Sequence, residues 1–133
     1  MRFISTDRRQ AEYTMKIIST YTATIYVGLK NRDTDVVHDL GLIEGICQKY
    51  CDEVGLCVTV TPTRFIYTNG NETGAAIGLI NYPRYPDKPE NIKAKALDLA
   101  ELLLIACQQY KVSIIFPDET IMLANESKND EDN

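Results

Sequence analysis

The chain has 133 residues, 44% of them apolar, and a formal net charge of −5. That length suits one domain with a single core burying roughly two-thirds of its unfolded surface, and the ordinary charged fraction excludes a globally disordered chain. The acidic balance, four acids against one lysine in the last ten residues, excludes the basic face that a duplex nucleic-acid binder needs.

Met1 to Thr20 mixes Arg2, Asp7, Arg8, Arg9, Glu12 and Lys16 among scattered apolar residues. It has no continuous apolar core of the kind a signal peptide carries. No run approaches a membrane span either, so no membrane contact is expected and the expected compartment is the cytoplasm. Residues 1–20 read as an N-terminal arm, 21–123 as a single α/β domain and 124–133 as a disordered acidic tail.

From Tyr21 to Leu29 apolar residues alternate: Ala23, Ile25, Val27 and Leu29 share one face, which predicts a strand. After a polar loop, Asp35 is positioned to cap a helix whose apolar positions 36, 40, 43, 47, 50 and 54 run at helical spacing up to Gly55. Leu56 to Tyr67 reads as a second strand, bent or placed on an edge by Pro62. Thr68 to Thr73 is turn chemistry around Asn69-Gly70, and Gly74 to Asn81 returns as the third strand. Tyr82-Pro83-Arg84-Tyr85-Pro86 is stiff and extended, because each proline fixes its own φ and restricts its predecessor.

Asp87 offers a second N-cap, with Pro89 in the first turn and Glu90 completing a capping box. That helix is expected to run to about Tyr110. Lys111 to Phe116 is the fourth strand, and Thr120 to Leu123 a short apolar ending. The order β-α-β-β-α-β predicts an α+β fold: a four-stranded antiparallel sheet with two helices on one face. Between Leu99 and Cys107 only Glu101 is polar. A helix covering one sheet needs a narrower apolar stripe, so a homo-oligomer through this second helix is expected.

Four cysteines, at 47, 51, 57 and 107, lack the spacing of a zinc ribbon. They read as buried thiols, with no metal or other cofactor expected. The single histidine, His38, stands at the start of the first helix as a solvated residue with no nucleophile paired to it. Asp118 and Glu119 are adjacent solvated turn carboxylates, and no phosphate-loop, dinucleotide or zinc-protease motif is present. Catalysis is therefore not expected. The informative stretch mixes arginines and aromatic rings on stiff backbone. Arg64 and Arg84 would pair with phosphates, Tyr67, Tyr82 or Tyr85 would stack a base, and Asn81 would bond ribose or base edges.

Thr24-Ile25-Tyr26-Val27-Gly28-Leu29, Val58-Thr59-Val60-Thr61 leading to Tyr67-x-x-Gly70-x-Glu72, and Gln109-Tyr110-Lys111-Val112 together resemble phage-encoded Thoeris anti-defence proteins of the first type. The resemblance covers about residues 22–123. It implies a phage protein in an infected bacterial host, an oligomer, and a non-catalytic sponge that sequesters a cyclic ADP-ribose-type signal. The alternative is an oligomeric adaptor docking on a host or phage protein. An enzyme cutting the same nucleotide is the third reading.

Overall fold

A computed structural model describes residues 11–125. The expectations for residues 1–10 and for the acidic tail beyond Asn125 lie outside the described residues. The chain runs through β1 (Thr22–Gly28), α1 (Leu40–Val54), β2 (Val58–Tyr67), β3 (Gly70–Ile80), α2 (Pro89–Ala106), β4 (Lys111–Ile115) and β5 (Thr120–Ala124). All strand pairings are antiparallel, in the order β2-β3-β1-β4-β5.

The first four strands form the split β-α-β arrangement, in which each helix carries the chain across an intervening strand. The expected four strands are five. The short apolar ending pairs along its whole length with β4, from Thr120 opposite Ile115 to Ala124 opposite Lys111. Ala124, assigned to the tail from sequence, is the last residue of that strand.

Alternation decides which face is covered. Ala23, Ile25 and Val27 of β1, Ala75, Ile77 and Leu79 of β3, and Val112 and Ile114 of β4 are buried in one core with Ile43, Cys47 and Tyr50 of α1 and Leu99, Ala100, Leu103 and Leu104 of α2. The opposite face carries Thr24, Tyr26 and Gly28, Ala76 and Gly78, and Ser113. An antiparallel sheet tolerates one such solvated face. Most of α2's wide apolar circumference is taken up between the sheet and α1, while Leu102 and Ile105 stay exposed.

Local chemistry corrects the expected boundaries. The first helix starts at Leu40, where the Asp39 carboxylate accepts the Leu42 N–H at 3.1 Å. Asp35 caps nothing. Residues ahead of Leu40 satisfy their backbone elsewhere: Asn31 N–H donates to Val36 O, His38 N–H donates to Leu29 O, and Val37 bridges Lys30. His38 therefore precedes α1 rather than opening it. It is half-buried, with Nε2 enclosed and unpartnered among the described residues. At the hairpin only Thr68 and Asn69 turn, Asn69 at φ 67°, and Gly70 already belongs to β3.

The second helix is capped at Lys88 with no side-chain bond. Asp87 instead accepts from Lys88 N–H and the Asn91 amide, which, with Lys95, holds its carboxyl below the usual range. α2 ends at Ala106 rather than near Tyr110, and Gln108 takes a left-handed φ of 54° to turn the chain into β4.

Candidate functional site

Three glycines shape one end of the open sheet face. Gly28 closes β1, opposite Gly74 of β3. A side chain at Gly28 would put its Cβ 2.5 Å from Glu72 Oε2 and 2.7 Å from Gln109 Oε1, so both oxygens converge above the bare backbone. At Gly70 a Cβ would strike the Tyr67 ring at 2.4 Å, and at Gly74 the Phe65 ring. The sheet floor is cut away so that two rings, a carboxylate and a carboxamide lie flat on it.

Gln109 is 4% exposed, and its amide orientation is fixed by its own bonds. Nε2 donates to Lys30 O at 2.6 Å and Cys107 O at 3.0 Å, which turns Oε1 toward Gly28 as an acceptor. Glu72 uses its other oxygen for partners. Oε1 receives Arg32 Nη1 at 3.3 Å and the Tyr67 hydroxyl at 3.5 Å, leaving Oε2 toward Gln109.

The loop from Lys30 to Asp35 forms the wall. Asn31, 5% exposed, donates from Nδ2 to Gln108 Oε1 and accepts Asp33 N–H at 2.8 Å. Tyr110 donates its hydroxyl to Asp33 at 3.0 Å, and the Arg32 guanidinium lies 5.9 Å over the Tyr110 ring. Lys30 to Asp35, Tyr67, Asn71 and Glu72 enclose a cleft of about 490 Å³. Its walls carry two cations against three acids, Asp33, Asp35 and Glu72. Such a cleft suits a small molecule bearing both signs of charge.

The six residues singled out from sequence do not gather in one place. Tyr67 lines this cleft. Arg64 stands on the edge strand bonded to Asn71. Tyr82, Arg84 and Tyr85 line a second, more open cleft of about 650 Å³ with Cys47, Cys51 and Cys57. There the two tyrosine rings lie 5.8 Å apart and Arg84 lies 5.8 Å over Tyr85. Asn81 bonds within the fold: its amide donates to Ser19 O at 2.8 Å and its Oδ1 accepts Asp87 N–H at 2.9 Å.

Among the thiols Cys47 and Cys107 are buried, and burial pushes them up to about 12 and about 11. Cys51 and Cys57 are half-buried, a departure from the expected burial. Glu119, expected as a solvated turn carboxylate, pairs with Lys93 of α2.

No family model matches the sequence, and no curated protein does. Solved structures do share its architecture. A phage SAM lyase in complex with S-methyl-5'-thioadenosine superposes with a TM-score of 0.66 at 16% identity, covering 87% of this chain and 98% of that one. The apo state of a phage SAM lyase gives 0.64 at 17% identity, covering 86% and 98%. The fold is shared with a phage enzyme.

That finding corrects the expectation of a purely non-catalytic binder, because the same architecture also carries a lyase. The sequence reading also passed over Glu72, Gln109, Arg32 and Asn31 as site residues. Glu72 and Gln109 stood within the quoted motifs, but nothing in their spacing says that β1 brings them together over Gly28. No helix among the described residues is long and apolar enough to cross a membrane.

Proposed function

We propose that this chain is a phage counter-defence lyase that cleaves a sulfonium nucleoside of the SAM class in the cleft around Glu72. The observation that carries this reading is the pair of acceptor oxygens, Glu72 Oε2 and Gln109 Oε1, converging over Gly28. Gln109 has spent its donors on backbone carbonyls, so the corner they form is electron-rich and favours a cation. A sulfonium is such a cation. The cleft that Glu72 also lines would take the remainder of the molecule: Arg32 and Lys30 for a carboxylate, Asp33 and Asp35 for an ammonium, Tyr67 for a purine face.

The chemistry makes few demands on the protein. When a carbon–sulfonium bond breaks, its electron pair goes to sulfur, and the leaving group departs as a neutral thioether. No acid has to protonate it. If the substrate's own carboxylate oxygen takes the vacated bond on carbon, a lactone ring closes and the balance is complete with no proton moved. The protein's part is to hold the carboxylate, the carbon and the sulfur in line and to exclude water. Loss of the positive charge on sulfur then weakens the hold of Glu72 and aids release.

Incubating the protein with SAM should yield S-methyl-5'-thioadenosine by mass spectrometry. At SAM well below KM, Glu72→Gln should lower turnover by about 10-fold or more, the scale of one lost charge-assisted contact, because it weakens capture of the sulfonium rather than the bond-breaking step, while circular dichroism stays unchanged. Undiminished turnover in that variant removes Glu72 from the mechanism.

A second reading attaches to the Tyr82–Arg84–Tyr85 cleft, where the stacked guanidinium and paired rings suit a nucleotide phosphate and base. Here a cyclic ADP-ribose-type ligand would be sequestered without cleavage, at a site separate from the lyase cleft. Arg84→Ala should then weaken nucleotide capture by about 1.5–3 kcal/mol and leave SAM turnover untouched. The host cytoplasm as the setting, and a homo-oligomer touching through Leu102 and Ile105 of α2, belong to the same proposal.

A further inference from the structure

The ten described residues ahead of Tyr21 form no helix or strand, yet they carry a strand's pattern. Tyr13, Met15 and Ile17 alternate with Thr14 and Lys16, and they are 86%, 79% and 83% exposed. Isolated apolar residues on a surface need no explanation, but three large ones in period two on a protruding segment describe one face of a β-strand without a sheet.

The sheet offers two edges, and only one is guarded. β2 carries Pro62 at its middle and the charged, exposed Arg64, devices that blunt an edge. β5, Thr-Ile-Met-Leu-Ala, has neither charge nor proline, and no described strand lies beyond it. Its Met122 is 58% exposed, beside Ile115 at 45%. A bare apolar edge of this kind is a template for a further strand.

The arm is steered away from its own β5. Asn81 donates its amide to Ser19 O and its backbone N–H to Tyr21 O, which ties the base of the arm to the end of β3. β5 lies on the far side of β1 and β4. Charge supplies an orientation. The arm's sequence from Arg2 to Lys16 holds four basic and two acidic residues, whereas the stretch after β5 holds Glu126, Asp130, Glu131 and Asp132 against Lys128. Every described pairing in the sheet is antiparallel, and the opposite net charges of the two stretches favour the same sense for an added strand.

We propose that the arm around Tyr13–Ile17 of one copy adds as a sixth, antiparallel strand to β5 of a second copy. The arm's apolar face then lies along Met122 and Ile115, and the unpaired backbone of β5 gains partners. This contact is independent of the cleft chemistry above.

The test uses the full chain and Met15→Pro, which removes an N–H from the pairing segment and touches no contact of the folded body. Mass by light scattering across a dilution series should show an oligomer that dissociates at least tenfold more readily in the variant. In the same samples amide exchange at Ile121 to Leu123 should be slow in the parent and fast in the variant. An oligomer indifferent to Met15→Pro, with β5 amides exchanging equally in both, overturns the proposal. A monomer overturns it too, and slow β5 exchange in that monomer would assign the arm to its own edge.

Discussion

Gly28 is where one carbon atom decides the geometry of the site. Alanine there would place a methyl group against Glu72 Oε2 and Gln109 Oε1. Gln109 is anchored by two backbone carbonyls and cannot retreat, so Glu72 must swing away. Turnover in Gly28→Ala should fall at least tenfold, equivalent to about 1.4 kcal/mol of barrier, with unfolding in urea shifted by only about 1–3 kcal/mol, the usual scale of local overpacking. Full activity would show that the convergence of those two oxygens is incidental. The buried thiols give a second expectation at this scale. Cys47 and Cys107 are held neutral by burial, up to about 12 and about 11 against an ordinary value of 9.0. Above pH 9 the unfolded chain releases these protons and the folded one keeps them, so the folded state binds more protons and stability falls as pH rises. Their contribution is complete below pH 9 and declines from there toward pH 11–12. Chemical denaturation between pH 8 and 11 should show that decline, and Cys107→Ala should flatten it.

At the scale of elements, capping separates the expected start of α1 from the real one. Asp39→Ala should cost about 1 kcal/mol, as loss of an N-cap does, and Asp35→Ala should be neutral in the same urea titration. The reverse result would restore the earlier start. Periodicity made β1, α1, β2, β3, α2 and β4 legible, because each buries one face and the pattern of Ile25, Ile77 and Ile114 follows from that. The boundaries were not. Position 36 continues the helical spacing, yet the residues around it bond to Leu29, Lys30 and Asn31 instead, and such long-range partners leave no trace in local spacing. β5 was seen as an apolar segment but not as a strand, since its partner is fixed by register with β4. Tyr67 alone of the six chosen residues faces the cleft around Glu72. Rings and guanidinium groups are conspicuous in a sequence, whereas Glu72 and Gln109 gain meaning only when β1 is laid between them.

For the molecule as a whole, the lack of a placed histidine or nucleophile does not argue against the proposed lyase. A sulfonium leaving group needs neither. The two faces of the sheet differ: one builds the core, and the other, thinned to glycine at one end, lies beneath Glu72 and the buried Gln109. The most direct measurement is to give the purified protein SAM and cyclic ADP-ribose together, then denature it and weigh what is released. The account expects SAM to be consumed, with S-methyl-5'-thioadenosine accumulating over many turnovers. Intact SAM alongside a stoichiometric amount of captured, unaltered cyclic nucleotide would contradict it.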